Sequence, residues 1–318
     1  LLSEFSIIET YFARSALLPP DISLAQGDDC ALVLPPADQQ LCLSIDTQVA
    51  GRHFLETAPA SAIATRALGS ALSDLAAMGA KPSHFTLALT LPVADEKWLA
   101  EFSKSLSDFA SKHGVVLIGG DTTRGPLTIT IQVHGWVELD KALKRSGAKV
   151  GDLLVVSGSL GDAAGGLSLI KASEYYSEYL EDRFYRPQPR LALGQQLIGR
   201  ATSCIDVSDG LVADAAHLSR ASGLDIAIEL SAVPISSELL GRFPDQAQAF
   251  ALAGGDDYEL LFSIDTKSFE ALQSESDMPL TVIGHFGKPQ EKDKPRVMLT
   301  ENDCEVRLPR EKGYLHFG

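Results

Sequence analysis

Apolar and polar residues repeat with two different periods along the chain, and each period predicts one kind of element. Apolar residues three and four positions apart predict helices over Ser3–Arg14, Pro59–Met78 and Asp95–His113. Alternation of apolar and polar residues, as in Leu127–Val133, predicts a half-exposed strand. Short apolar runs such as Leu41–Ile45 predict strands that deliver polar residues at their ends. Strands and helices intermix throughout, which predicts a mixed α/β fold.

A basic, glycine-containing stretch interrupts this pattern at residues 141–149. Beyond it the pattern restarts with a predicted strand over Leu153–Ser157 and a helix over Ala163–Lys171. We therefore expect two domains, 1–140 and 141–318, which is also what the length of the chain favours.

Composition narrows the possible partners. The 318 residues include 27 Lys and Arg against 42 Asp and Glu, a net charge of −15. Nucleic-acid binding is disfavoured, because that affinity depends on basic side chains that neutralise phosphates, and so is binding to an anionic membrane. The sequence contains neither an apolar stretch of about 18 residues nor a signal peptide, so we expect a cytoplasmic protein. The four cysteines have no metal-binding spacing and are expected to be buried free thiols.

The outstanding feature is a series of aspartates beside glycine or other small residues, mostly where an apolar strand is expected to end. They lie in Gly27-Asp-Asp29, Asp46-Thr47, Ser73-Asp74, Gly119-Gly-Asp121, Gly161-Asp162, Asp206-Val-Ser-Asp-Gly210 and Gly254-Gly-Asp-Asp257. A single such spot is usually a turn. Seven of them favour a ligand site, because Mg²⁺ prefers carboxylate oxygens together with substrate phosphates.

Asp74 has separate support, since it shares a helical stripe with Ile63, Ala67 and Ala71. A carboxylate on an apolar face either binds a ligand or lies at an exposed helix end, and the spacing leaves both open. The glycine-rich segment Gly158–Gly166 is similarly open, because it suits either an anion cradle before a helix or an ordinary turn.

The usual nucleotide and hydrolase motifs do not occur. The sequence contains no Gly-x-Gly-x-x-Gly, no Walker A motif and no Gly-x-Ser-x-Gly. Enzymes that use those loops are therefore excluded.

Read together, six segments resemble the thiamine-monophosphate kinase family of the aminoimidazole-ribonucleotide-synthetase-like superfamily. The segments are Gly27–Ala31, Asp46–Phe54, Leu72–Ala80, Gly119–Thr122, Asp206–Leu211 and Gly254–Leu260. The resemblance implies a two-domain fold of that superfamily, with N-terminal sheets that pair in a homodimer. It also implies phosphoryl transfer from ATP to thiamine phosphate, the last step in making thiamine diphosphate, with several Mg²⁺ ions.

The resemblance also implies a role for individual residues. The implied Mg²⁺ ligands are Asp29, Ser44, Ile45, Asp46, Asp74, Asp121, Asp206 and Asp209. The implied ATP contacts are Gly120, Asp121, Arg145 and Ser208, and the implied thiamine phosphate contacts are His53, Asp256 and Tyr314. Asp74, Asp121 and Arg145 are the expected catalytic residues. Ile45 stands where the family often has Thr, so its backbone carbonyl would have to serve, and Asp256 replaces the usual Glu.

Two other functions stay open. Another ATP-dependent synthetase of the superfamily, acting on a different phosphorylated heterocycle, would use the same aspartates. A non-catalytic protein that binds divalent cations would bind metal without nucleotide, although the chain lacks the alternating aspartates of an EF-hand loop.

Overall fold

The computed structural model describes residues 3–13, 18–172, 176–291, 294–302 and 304–306. Contacts between residues divide the chain into two compact units. Unit 1 comprises residues 1–75 and 80–140, and unit 2 comprises residues 76–79 and 141–318. The units are described separately below.

Unit 1 contains a four-stranded sheet and two long helices. Its elements are α1 (Glu4–Ile7) with a π-turn (Ile8–Phe12), β1 (Ile22–Leu24), β2 (Leu32–Val33), β3 (Gln39–Val49), α2 (Ala60–Ala77), β4 (Lys81–Leu91), α3 (Glu96–Lys112), β5 (Val116–Arg124) and β6 (Thr128–Glu138). The sheet has the order β3-β6-β4-β5, so β3 and β5 form its two edges. Only the pair β4–β5 is parallel. A separate ribbon pairs β1 with β2.

Helices α2 and α3 form because their apolar residues recur at helical spacing, and both bury that face. Asp95 caps α3 by accepting a hydrogen bond from the Trp98 backbone N–H at 2.7 Å. The π-turn packs on this helix through an edge-to-face contact of Phe12 with Phe102. Helix α2 lies against β3, since Gln48 of the strand donates a hydrogen bond to Ser70 of the helix. The face of the sheet that carries Ser44, Asp46 and Gln48 is therefore the one that α2 covers.

Unit 2 contains a seven-stranded sheet with helices between the strands. Its elements are β7 (Leu153–Ser157), α4 (Asp162–Ala172), α5 (Glu178–Tyr185), α6 (Leu191–Leu197), β8 (Ala201–Asp206), α7 (Leu211–Ser222), β9 (Asp225–Glu229), α8 (Ser237–Arg242), α9 (Ala247–Ala253), β10 (Leu260–Ile264), α10 (Thr266–Glu275), β11 (Leu280–Gly287), β12 (Val297–Glu301) and β13 (Cys304–Val306). The strand order is β13-β12-β9-β11-β7-β10-β8, and only β12–β9 is parallel. Buried aliphatic residues of β7, β10, β9 and α7 form its main core.

The mixed α/β fold is confirmed, and several element boundaries differ from the prediction. The strand expected at Leu41–Ile45 extends from Gln39 to Val49, because β3 pairs with β6 over its whole length. The strand expected at Val115–Ile118 continues to Arg124 by pairing with β4. Asp46 and Asp121 therefore lie inside strands, and the expectation that they follow strand ends was wrong. Helices α5 and α6 were not predicted.

Two further expectations concern thiols and membranes. Cys204 is buried, but Cys30 and Cys304 are exposed and Cys42 is half-buried, so the expectation of four buried thiols was wrong. All four are free thiols. Among the helices of the described residues, none is long and apolar enough to cross a bilayer.

Candidate active site

The first part of the site is a pair of carboxylates in unit 1. Asp46 lies on β3 and Asp74 lies in the last turns of α2, on the covered face of the sheet. The Ser44 hydroxyl donates a hydrogen bond to an Asp74 carboxylate oxygen at 2.5 Å. Strand alternation places Ser44 and Asp46 on this face, and helical spacing aims Asp74 at them. The structure brings together three residues that the family resemblance implied as metal ligands, whereas the spacing alone left Asp74 open between a ligand and an exposed helix end.

The two carboxylates disfavour each other's charge. The pKa of Asp46 is raised to about 6, mainly by burial and further by repulsion from Asp74, whereas a hydrogen bond from Ser70 opposes the rise. Two adjacent carboxylates with a serine hydroxyl offer hard oxygen ligands and a negative field, which suit a divalent cation such as Mg²⁺. The donor set therefore fits the metal that the sequence resemblance implies.

The second part lies at the opposite edge of the same sheet. Gly120 and Asp121 belong to β5, and the loop that carries Asp29 is attached to this strand because Gln26 donates a hydrogen bond to the Leu117 carbonyl at 2.6 Å. Asp29 and Asp121 are both exposed. A side chain at position 120 would meet the Leu87 carbonyl oxygen at 1.9 Å, so only glycine fits there.

Sheet order separates these two groups of carboxylates. Asp46 is on β3 and Asp121 is on β5, with β6 and β4 between them. Three strand spacings of about 4.8 Å put their backbones roughly 14 Å apart. One ion therefore cannot contact both Asp46 and Asp121 of the same chain. The implied metal ligands of unit 1 do not form a single cluster within one chain.

Two other predicted residues lie in β3 or just after it. The His53 ring nitrogen Nδ1 accepts a hydrogen bond from the Val49 backbone N–H at 3.0 Å. The side chain of Arg66, which is fully buried, donates to the His53 carbonyl and fixes the turn. The Ile45 side chain is exposed on the face opposite to Ser44 and Asp46, so only its backbone is oriented suitably for a metal.

A separate group of predicted residues lies in unit 2, where three segments meet at one end of the neighbouring strands β7, β10 and β8. Antiparallel pairing sets Leu260, at the start of β10, against Asp206, at the end of β8. Strand β7 also ends here, with Ser157 beside Leu260. The turns after β7 and β8 and the segment before β10 therefore lie together. The aspartates gather here because β7 and β8 both run antiparallel to β10, so that their carboxyl ends lie beside the start of β10.

The turn after β8 is held by a carboxylate that sequence reasoning missed. One oxygen of Asp214 accepts hydrogen bonds from the backbone N–H groups of Ser208, Asp209 and Gly210, each at 3.1 Å. The pKa of Asp214 is raised to about 8, mainly by burial and then by Asp206 and Asp209, while the backbone N–H groups oppose the rise. An acidic residue in the first turn of a helix is the signal that points to such a cap.

Asp209 and Arg145 lie near His217, which the sequence analysis did not identify as a candidate site residue. Asp209, Asp214 and His217 each offer a ligand atom, and these atoms lie within 4.8 Å of one another. The pKa of His217 is lowered mainly by burial and then by Arg220 and Arg145, while Asp209 opposes the shift. Unit 2 therefore brings the predicted residues Arg145, Ser208 and Asp209 close to one another.

Asp256 occupies a strained position in the segment before β10. It has a positive φ of 71°, which is uncommon for a residue other than glycine. Its backbone N–H donates to the Ser208 carbonyl at 2.9 Å, which joins the predicted substrate residue to the predicted ATP residue. The Tyr258 hydroxyl donates to the Asp256 carboxylate at 3.0 Å.

The glycine-rich turn after β7 binds a carboxylate of the protein itself. The carboxylate of Asp257 accepts hydrogen bonds from the backbone N–H groups of Gly161 at 2.6 Å and Ala163 at 3.2 Å. Asp162 is equally buried and accepts from the hydroxyls of Tyr179 and Ser236. The backbone N–H groups at the start of α4 are therefore bound by the side chain of Asp257.

Tyr314, the remaining predicted substrate contact, lies outside the described residues. The structure also shows three charged residues that the sequence reasoning did not single out. Glu259, Arg183 and Arg190 form a buried ion cluster beside Asp257. A glutamate within the apolar run Tyr258–Ile264 was the available signal for it.

Comparison with known proteins matches both parts of the chain to one family. The AIR synthase related protein N-terminal domain matches residues 27–137, and the C-terminal domain of the same family matches residues 149–292. The chain is 46% identical to a thiamine-monophosphate kinase of Escherichia coli strain K12 over 325 residues, covering 99% of this chain and 98% of that protein. It is 32% identical to a thiamine-monophosphate kinase of Bacillus subtilis over 333 residues, covering 99% and 100%.

Solved structures agree with these matches. A thiamine-monophosphate kinase from Stenotrophomonas maltophilia superposes with a TM-score of 0.82 at 42% identity, covering 87% of this chain and 91% of that one. AaThiL complexed with AMPPCP and TMP superposes with a TM-score of 0.79 at 28% identity, covering 89% of each chain. The hydrogenase maturation protein HypE of E. coli is 20% identical, with a TM-score of 0.77, and shares the fold.

Proposed function

Because the chain belongs to the thiamine-monophosphate kinase family, within the AIR synthase related proteins, we propose that it transfers the γ-phosphoryl group of ATP to thiamine phosphate. The products are thiamine diphosphate and ADP. We propose direct in-line transfer that depends on Mg²⁺. The observation that carries the proposal is the Asp46–Asp74 pair with Ser44, because it is a ready cation site in a fold whose relatives are kinases.

The acceptor explains which groups the site needs. A phosphate oxygen of thiamine phosphate is already anionic, so no strong general base has to remove a proton from it. The main difficulty is that two anionic reactants must meet in an acidic protein of net charge −15. Bound Mg²⁺ would supply the positive charge that this encounter requires. Asp46, Asp74 and Ser44 would hold that charge, and Arg145 would add a fixed one.

We assign the binding of ATP and the binding of thiamine phosphate to different segments. The loop Ser208–Gly210, with Asp206 and Asp209 beside it, would contact ATP and its metal. Asp256 and His53 would contact thiamine phosphate, together with Tyr314. Residues 1–140 would then supply the metal and dimerisation domain, and residues 141–318 would supply the domain that completes the ATP and substrate site.

We also propose that the active form is a homodimer joined through the sheets of unit 1. Edge strand β3 exposes Leu41, Leu43 and Ile45 on one face, with exposed fractions of 45%, 56% and 59%. An apolar, unpaired edge strand is a typical surface for pairing with a second chain. If β3 pairs with β5 of the second copy, rather than with its β3, the partner's Asp121 and the adjoining loop with Asp29 would come to this edge, which offers a way to unite them with Asp46 and Asp74.

Mixing two inactive variants tests this arrangement. We expect Asp74→Asn and Asp121→Asn each to be inactive alone. If the partner supplies Asp121, subunit exchange should restore roughly a quarter of wild-type turnover, because half of the dimers then contain one intact site. No recovery after exchange, demonstrated by tagged subunits, would contradict the shared site.

The central experiment is a turnover assay with thiamine phosphate, ATP and Mg²⁺. We expect ADP and thiamine diphosphate in equal amounts, and no turnover with thiamine as the control acceptor. Turnover only with another phosphorylated heterocycle from a substrate panel would favour a sister synthetase. Metal binding by calorimetry, with no binding of a non-hydrolysable ATP analogue, would favour a non-catalytic cation-binding protein.

A further inference from the structure

In the second half of the segment Gly254–Glu259, residues with a positive φ alternate with buried acidic residues. Asp256 and Tyr258 have positive φ values of 71° and 53°, in the left-handed region that non-glycine residues avoid. Asp257 follows Asp256, and Glu259 follows Tyr258. These two acidic residues are buried, with exposed fractions of 1% and 0%. A residue held in this region stays there only when its surroundings fix it. The two buried carboxylates hold the segment on one side, and the N–H groups of Asp256 and Tyr258 hold it on the other by donating to the carbonyls of Ser208 and Val207.

Glu259 is the more strongly held of the two. Its carboxylate accepts hydrogen bonds from the Ser157 hydroxyl at 2.5 Å, from Arg190 Nε at 2.7 Å and from an Arg183 terminal nitrogen at 3.0 Å. A terminal nitrogen of Arg190 contacts the other carboxylate oxygen, so the Arg190–Glu259 pair is bidentate. The arginine side chains are only 11% and 16% exposed. A Cβ atom at Gly158 would lie 2.4 Å from the carboxylate, so glycine leaves the room for it.

Arg183 extends the same cluster along the segment. Its terminal nitrogen also approaches the carbonyl oxygens of Ser159 at 3.2 Å and Asp257 at 3.4 Å. The Asp257 carboxylate is bound in turn by the Gly161 and Ala163 N–H groups. Both buried side chains thus tie the segment to the turn after β7, and this sets where Asp256 stands between them.

We propose that Arg190 is a positioning residue for the acceptor substrate, acting with Arg183 through Glu259 to hold Asp256 in its left-handed conformation. The inference rests on the proposed function, in which Asp256 contacts thiamine phosphate. The neighbouring ATP loop, Ser208–Gly210, has its own support in Asp214. Disturbing the Glu259 cluster should therefore affect the acceptor and leave ATP binding nearly unchanged.

The substitution Arg190→Lys tests this most cleanly. Lysine keeps the positive charge and loses the planar fork that makes two parallel hydrogen bonds. We expect the KM for thiamine phosphate to rise about tenfold or more, because small displacements of a positioning group weaken substrate contacts strongly. We expect the KM for ATP to stay within about twofold. Arg190→Met should enlarge the same split.

Two control variants make the result specific. Arg200→Lys changes an arginine that pairs with Glu275 at 2.7 Å, away from the segment, and should leave both KM values unchanged. Asp214→Asn removes the support of the ATP loop and should raise the KM for ATP more than the KM for thiamine phosphate.

The outcomes separate the two levels of the proposal. If the wild-type protein does not phosphorylate thiamine phosphate, the proposed function fails, whatever the variants do. If the wild type is active and Arg190→Lys lowers Tm while both KM values stay unchanged, the cluster only stabilises the fold and the inference is wrong. An equal rise of both KM values would also overturn it. If Arg190→Met does not fold, Arg190→Lys and the controls still decide.

Discussion

The aspartates of unit 1 and unit 2 look alike in the sequence and are held in opposite ways. In unit 1, Asp46 and Asp74 stand side by side, and their mutual repulsion helps to raise the pKa of Asp46 to about 6. In unit 2, Asp257 and Asp214 are surrounded by backbone N–H groups that point at their oxygens. One arrangement leaves the carboxylate oxygens open to a ligand, and the other satisfies them with backbone hydrogen bonds, although burial still raises the pKa values of Asp257 to about 7 and of Asp214 to about 8.

This contrast shows that aspartates have two uses in one protein. A glycine turn before a helix presents N–H groups that need an acceptor, and the chain supplies that acceptor from another segment. In the carboxylate pair between a strand and a helix, the hydroxyl groups of Ser44 and Ser70 bond the two side chains, and each carboxylate still repels the other. Variants of the two kinds should therefore respond in opposite directions.

The largest expected effect is on activity, from Asp46→Asn. Loss of this ligand should lower turnover at least a hundredfold, because metal-dependent charge neutralisation typically contributes several kcal/mol. The same substitution removes repulsion with Asp74, so the metal-free protein should become more stable, by about 1 kcal/mol. Turnover by ADP release and Tm in EDTA would check both. A lower Tm in EDTA would show that Asp46 is structural, like the unit 2 carboxylates.

The opposite response is expected from Asp257→Asn. Both carboxylate oxygens accept backbone N–H groups, and an asparagine must turn its own NH₂ group toward one of them. We expect the free energy of unfolding to fall by about 2–4 kcal/mol, measured by urea denaturation. Asp245→Asn, at an exposed position, is the matched control and should change stability by less than about 0.5 kcal/mol. A neutral effect of Asp257→Asn would remove the distinction between the two units.

The same contrast marks how much could be predicted from the sequence. Local patterns were sufficient to predict the mixed fold, the helix that carries Asp74 and the part of β3 that carries Ser44, because these depend on local spacing. Asp256 and Asp257 are adjacent, yet one is strained beside Ser208 and the other is buried against α4. Only the tertiary packing decides between those roles, so no local pattern distinguishes them.

Sheet order was equally invisible in the sequence. Asp46 and Asp121 follow the same kind of apolar run, but they belong to strands at opposite edges of the sheet. Pairing over eleven residues extends β3 and places Asp46 within the strand, where the polar residues after Ile45 predicted a strand end. The separation arises from which strands pair, and that is a property of the whole unit.

Acid should affect unit 1 through a buried histidine pair. His84 stacks on His134 with ring centroids 4.5 Å apart, and its pKa is lowered to about 4, mainly by burial and then by His134, with Asp21 opposing. The unfolded chain therefore takes up a proton below pH 6.5 that the folded chain refuses, and stability falls as pH drops toward 4. The contribution of His84 should be about 2 kcal/mol between pH 6.5 and 5.

His84→Gln should flatten this dependence, measured by urea unfolding at several pH values. His113, whose pKa is also lowered to about 4 by burial and Lys112, should leave a residual slope. The exposed His285→Gln is the control and should leave the profile unchanged. In unit 2, the pKa of Asp214 is raised to about 8, mainly by burial, so the folded chain holds a proton that the unfolded chain lacks until the pH falls to about 3.8, and acid stabilises this unit over that range. Hydrogen exchange resolved by unit should then show unit 1 loosening first, and the reverse order would contradict the contrast.

The smallest effect we expect comes from Ser70→Ala, beside the carboxylate pair. Ser70 lowers the pKa of Asp46 by a hydrogen bond, against burial and Asp74, which raise it. Asp46 must be ionised to bind a cation, so activity at limiting Mg²⁺ should fall as pH drops below about 6. Removing a bond that contributes about 1 kcal/mol should move this acidic limb upward by at most about one pH unit.

A profile of kcat/KM against pH would show the shift, and saturating Mg²⁺ should suppress it, because the cation competes with the proton for the same oxygens. An unchanged limb at limiting Mg²⁺ would mean that the ionisation of Asp46 does not control the metal site.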